Sequence, residues 1–222
     1  NYTLYRSSAA SDVYKRQTHS GVAAPILQDN VDTDQIIPSR EMKNVSKLGL
    51  GKGLFAGWRY EYDGGQKSGL RDDFVLNQPA YDGTSILLAG KNFGCGSSRE
   101  HAVWALRDFG IRVIIAESFG RIFRNNCARN RVLAIQLPAQ QIAELVAAVT
   151  PDPQKHRLVV DLERHEIALP DGGSIDFTVA EFDRVMLLEG LDYIDFTLQF
   201  ADDIEAFRQR DRISRPWALL SP

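Results

Sequence analysis

Apolar positions along the chain change period several times, and the changes predict alternating strands and helices. Residues 21–28 (GVAAPILQ) form an apolar run read as a strand, followed by a polar loop and a short apolar segment ending in proline (DNVDTDQIIP). Residues 84–89 (TSILLA) read as a buried strand and lead into a glycine-rich turn. A helix is predicted over 100–109, with Ala102, Val103, Ala105, Leu106 and Phe109 on one broad face and Gly110 ending it. Buried strands at 111–116 (IRVIIA) and 132–137 flank a short helix at 119–129, and Pro138 opens a helix ending near Val149. This strand–helix–strand order calls for a largely parallel sheet. The last third reads differently. Strands at 157–163 and 166–169, a turn at Asp171-Gly172-Gly173 and a returning strand at 174–178 precede helices at 179–188 and 202–210.

Two stretches fall outside that pattern. Residues 39–69 hold seven of the 17 glycines, a density that predicts loops and turns, with 42–57 as a candidate specificity loop that orders when partner and substrate bind. Residues 1–17 (NYTLYRSSAASDVYKRQ) show no amphipathic period and are read as a disordered or non-native leader, leaving 18–222 as a single domain with a C-terminal extension. Composition adds exclusions. The 222 residues are 44% hydrophobic and 25% charged, ordinary for a globular chain of one domain. A net charge of -3 without a Lys/Arg cluster argues against a general nucleic-acid binder. No apolar run approaches the roughly 20 residues that span a bilayer, and no signal-peptide pattern is present. Two cysteines, Cys95 and Cys127, point to a reducing cytoplasm and carry no metal signature.

The chemistry concentrates in residues 92–102, NFGCGSSREHA, between a predicted strand and a predicted helix. Glycines there let backbone approach a ligand, and a helix N-terminus presents unpaired N–H groups that favour a carboxylate or phosphate. Arg99 adds a bidentate clamp suited to a carboxylate. Against this stands an equally weighted alternative, because Ser97 and Glu100 have the spacing of a helix capping box. Neither a phosphate-binding Gly-x-x-x-x-Gly-Lys-Ser/Thr loop nor a Gly-x-Ser-x-Gly nucleophile elbow occurs. Cys95 and Cys127 read as packing residues, and His101 as a residue that orients the loop. Trp58 and Arg59 either close over substrate, meet a partner, or belong to the core.

The same motif, with VDTDQIIPSREM, LFAGWRY, DFVLNQP and GLDYIDFTLQF, resembles the swivelling domain of the aconitase family, in the branch formed by small subunits of bacterial 3-isopropylmalate dehydratases. The resemblance spans nearly all of 18–222. It implies an α/β fold, the swivelling β/β/α domain with a mostly parallel central sheet, flanking helices and a C-terminal strand and helix extension. It implies Ser97 as the catalytic base, with Arg99, Ser98, Asp34 and Arg40 binding a small dicarboxylate substrate. It implies a hydro-lyase that interconverts 2- and 3-isopropylmalate through an alkene in leucine biosynthesis, or a related enzyme for citraconate, dimethylmalate or homoaconitate. Such chemistry needs a Lewis acid to expel hydroxide, and two cysteines cannot hold a four-iron cluster. No cofactor is therefore expected on this chain, and a [4Fe-4S] cluster is expected on a large-subunit partner in a heterodimer or heterotetramer. A non-catalytic anion-binding module and a stand-alone monomeric enzyme are the competing readings.

Overall fold

A computed structural model describes residues 18–42, 46–97 and 99–218. The reading of 1–17 as a leader lies outside the described residues. The strands are β1 (Thr18–Ile26), β2 (Tyr60–Asp63), β3 (Gln66–Leu70), β4 (Thr84–Ala89), β5 (Val113–Ala116), β6 (Leu133–Gln136), β7 (Leu158–Asp161), β8 (Glu166–Ala168) and β9 (Ser174–Asp176). The helices are α1 (Thr33–Ile36), α2 (Ala56–Arg59), α3 (Glu100–Phe109), α4 (Arg121–Arg129), α5 (Ala139–Val149), α6 (Glu181–Glu189), α7 (Tyr193–Leu198) and α8 (Ala201–Ser214).

One seven-stranded sheet has the order β6-β5-β4-β1-β7-β8-β9. Its first four strands are parallel, and the β1–β7, β7–β8 and β8–β9 pairs are antiparallel. Helices α3 and α5 explain why the parallel strands lack a polar face: each strand is covered on both sides. Leu87, Ala89 and Ile114 pack with Val103 and Leu106 of α3 in one core cluster. Ile86, Leu88 and Ile115 point the other way and pack with Ile142 and Leu145 of α5 and with Ile167 and Ile175 of the antiparallel strands. The period of two in β4 thus divides its side chains between two cores.

Helix α3 occupies the predicted residues, and Gly110 follows it at φ 122°. Beside the one-turn helices α1 and α2, which fall in segments read as loop, two departures from the sequence reading matter most. The glycine-rich segment contains the β2–β3 hairpin, built on the Gly64-Gly65 turn with φ values of 53° and 82° that suit glycine. Residues 43–45 lie outside the described residues, and from Leu50 on the segment is anchored rather than loose. Leu50, Leu54 and Phe55 are buried, and the Gly51 N–H donates to Asp108 Oδ2 at 2.8 Å on the last turn of α3. A Cβ at Gly51 would lie 2.7 Å from the Phe109 backbone nitrogen, so glycine here allows close packing. The second departure is α7, whose capping box on Asp192 starts a helix after the Gly190 stop.

Loops at the carboxyl ends of β1, β4 and β5 cross tightly. Gly94 sits at φ 73°, and a Cβ there would lie 2.1 Å from Phe123 Cγ. Gly94→Ala therefore faces both left-handed strain and an overpacked aromatic core. It should destabilise the fold by about 3 kcal/mol or more, from roughly 1–2 kcal/mol of backbone strain and 1–3 kcal/mol of overpacking. Denaturant unfolding of the isolated chain measures this; a change under about 1 kcal/mol contradicts the packing described.

Candidate active site

The loops that follow β1, β4 and β5 lie side by side because their strands are neighbours in the parallel part of the sheet. The carboxyl ends of parallel strands are where such sheets bind ligands. Here the loops satisfy one another's backbone groups. The Asn30 N–H donates to Lys91 O at 2.8 Å, Gly94 N–H to Val31 O at 2.7 Å, and Thr33 N–H to Cys95 O at 3.0 Å. On the other side, Phe93 N–H donates to Ser118 O and Gly120 N–H to Phe93 O, each at 2.9 Å. The β4 loop is thereby clamped between two neighbours, as buried backbone polar groups require.

The β1 loop then turns into α1 through a capping box. Asp32 Oδ1 accepts from Gln35 N–H at 2.7 Å, and Gln35 Oε1 accepts from Asp32 N–H at 2.8 Å. That turn delivers Thr33 and Asp34 to the β4 loop. Thr33 is 2% exposed. Its hydroxyl donates to Ser97 O at 3.0 Å and lies 3.3 Å from Ser97 Oγ. Ser97 itself is exposed. Arg99 Nη1 pairs with Asp34 Oδ1 and donates to Ser39 Oγ at 3.0 Å, and Ser39 Oγ donates to Asp34 Oδ1 at 3.1 Å. The Arg99 side chain is 31% exposed and that of Asp34 50%, so the group lies on an open surface.

The structure therefore brings Ser97, Arg99 and Asp34 together. Ser98 lies outside the described residues. Arg40 is turned aside: its guanidinium lies 4.4 Å from the centre of the Tyr62 ring, and its Nε is 3.8 Å from Glu41. The capping box foreseen for Ser97 and Glu100 does not form. Arg99 occupies the N-cap of α3 without a side-chain cap, and Glu100 Oε1 instead accepts from Asn130 Nδ2 at 2.8 Å. Asn130 is buried, and its Oδ1 also accepts from Trp104 Nε1 at 2.9 Å, which fixes the first turns of α3 to the end of α4. Ser97 is thus released from capping and held by Thr33.

The remaining candidates resolve as packing. The Cys95 thiol donates to Asn30 O at 3.4 Å, and burial together with the Asp32 charge raises its pKa, opposite to what a nucleophilic thiolate needs. Cys127 is fully buried and its pKa is pushed up by burial. The His101 ring lies against Trp104, 4.7 Å between centroids. Trp58, partly buried, stacks on Phe55 at 5.4 Å and packs against the core. Arg59 lies over the Phe109 ring, 4.9 Å from its centre, donating to Asn77 Oδ1 and to the Gly51 carbonyl, and burial lowers its pKa. Among the described residues no group of three or more His, Cys, Asp or Glu is placed to hold a metal ion. With one thiol sealed in the core and the other capped by a carbonyl, the donor set of this chain does not fit a cluster. Thr33, Ser39 and Asn130 are site residues that the sequence reading missed. Thr33 and Ser39 had a signal, their places beside Asp34 and Arg40 in VDTDQIIPSREM.

Residues 13–140 match the family model described as the aconitase C-terminal domain. A 3-isopropylmalate dehydratase small subunit from Cupriavidus necator is 55% identical over 199 residues, 90% of this chain and 95% of the relative. One from Rhodospirillum centenum is 50% identical over 200 residues, 90% and 96% of the two chains. A crystal structure of 3-isopropylmalate dehydratase from Methanocaldococcus jannaschii superposes with a TM-score of 0.61 at 26% identity, over 86% of this chain and 99% of that one. With a matching domain over more than half its length and relatives at half identity or better, the chain belongs to the 3-isopropylmalate dehydratase small-subunit family, within the aconitase C-terminal domain fold.

Proposed function

We propose that residues 18–222 act as one domain, the small subunit of a hydro-lyase that interconverts 2-isopropylmalate and 3-isopropylmalate in the cytoplasm, through isopropylmaleate, for leucine biosynthesis. The observation that carries this reading is the joining of Ser97, Arg99 and Asp34 on one open surface at the carboxyl ends of the parallel strands. A carboxylate substrate held by Arg99 would bring the carbon next to that carboxylate to Ser97. Ser97 Oγ, as the alkoxide, takes the proton from that carbon and becomes the hydroxyl, and Arg99 offsets the negative charge that builds on the carboxylate as the proton leaves. Returning the proton in the reverse direction delivers it from the same oxygen. An iron–sulfur cluster on a large subunit would supply the Lewis acid for the departing hydroxide. No group of this chain is assigned that task. The openness of the Ser97 surface supports a site completed by that second subunit. Arg40, turned onto Tyr62, is assigned a place beside the substrate side chain rather than at its carboxylate, and Ser98 a share in substrate binding.

Co-expression with a cluster-bearing large subunit tests the reading. Assayed anaerobically, the mixture should form alkene absorbance from both isopropylmalates while each subunit alone does not. A stable complex that turns over a different substituted malate would change the substrate, and absence of both complex and turnover would overturn the proposal. Ser97→Ala should lower kcat by about 10²–10⁴-fold without weakening assembly, which size-exclusion chromatography of the complex checks. Thr33→Val keeps the shape of the buried side chain and removes the hydroxyl that holds Ser97. It should cost about 1–3 kcal/mol in denaturant unfolding and lower kcat as well; retained full activity would show that Ser97 needs no such support.

A further inference from the structure

We infer that Ser39 is a positioning residue for this reaction, one that fixes which edge of the Arg99 guanidinium receives the substrate carboxylate. The inference rests on the reading of Arg99 as the carboxylate clamp. Nη1 of arginine carries two hydrogens, and here both have acceptors, Asp34 Oδ1 and Ser39 Oγ. Ser39 passes its own hydrogen to Asp34 Oδ1, closing a three-membered ring of side chains. Among the described residues neither Nε nor Nη2 of Arg99 has a partner. A carboxylate grips arginine best through two parallel bonds, and with Nη1 saturated only the Nε–Nη2 edge offers such a fork. Asp34 alone would balance the charge but leave the plane of the guanidinium free to turn about the single contact. The second contact at Ser39 sets that plane.

Ser39 is itself held from behind. It opens a single 3-10 turn, Ser39–Glu41, in which Glu41 N–H donates to Pro38 O at 2.8 Å. Glu41 pairs with Lys67 on β3 at 2.8 Å, and Gly53 lies so close to it that a Cβ there would come within 2.7 Å of Glu41 Cβ. The β2–β3 hairpin, far along the chain from the motif, thus braces the residue that orients Arg99.

Two measurements decide the matter. In the active complex, Ser39→Ala should raise KM for 3-isopropylmalate about tenfold while kcat falls less than about threefold, and Ser39→Thr should restore KM. In an Arg99→Lys background, Ser39→Ala should have no further effect on KM. An unchanged KM, failure of rescue, or an equal effect in both backgrounds would overturn the inference. The second measurement needs no turnover: ¹⁵N NMR of the Arg99 guanidinium in the full chain alone. Separate Nη signals, from restricted rotation, are expected in the parent chain and should merge in Ser39→Ala. Merged signals in the parent, or separate ones in the variant, would overturn it. A parent complex without isomerase activity would sink the functional reading, while the NMR result would still decide the role of Ser39.

Discussion

The site depends on how the β1 and β4 loops share hydrogen bonds. Each leaves a parallel strand with backbone donors and acceptors that neither a helix nor the sheet takes up, and each completes the other. Gly94 N–H and Thr33 N–H reach across to Val31 and Cys95. The Thr33 hydroxyl, buried at the crossing, carries the same exchange on to Ser97. An unmet polar group at this depth costs about 1–3 kcal/mol, so the pairing sets loop position as firmly as core packing would. The exposed Ser97 is held by a buried threonine, and that lets a surface residue be well placed.

The parts of this fold legible in the sequence are those with a local cause. The apolar run at 84–89 and the apolar face of 100–109 are local patterns, and the strand and the helix lie where those patterns put them. Asp34 and Arg99 were assigned to one wall by resemblance alone. Their sequence separation of 65 residues is bridged only once β1 and β4 pair in register, Ile26 beside Ala89. The capping box at Ser97 shows how a local signal fails. Its spacing was right, but Thr33 and Asn130, remote in sequence, took the two side chains that would have made it. The hairpin at 60–70 failed for a different reason: its Gly-Gly turn was counted with glycines that serve close packing, as Gly51 does against α3.

Charge at the site is arranged in pairs. Arg99 is met by Asp34, so the bare surface is not a strongly positive patch that would hold any passing anion. What remains on Arg99 is direction more than net charge, three N–H groups with a fixed plane. A dicarboxylate gains from that direction, whereas a monovalent ion, able to sit anywhere around a point charge, gains less. Selectivity by geometry of this kind works only if water is removed, since solvent weakens each of these bonds.

The chain itself leaves Ser97 and Arg99 open to solvent, and a serine hydroxyl in water is a poor base. Its alkoxide must be stabilised by fixed donors in a dry setting before it can take a proton from carbon. Among the described residues the contact to Ser97 Oγ is another hydroxyl, that of Thr33 at 3.3 Å, which can donate to a developing alkoxide only by giving up its bond to the Ser97 carbonyl. Covering this surface with a second subunit would dry the site and place the hydroxide-accepting group opposite the proton-accepting one. On the proposed reading, the need for a lid and the lack of cluster ligands among the described residues would have one physical solution, a partner surface that provides both.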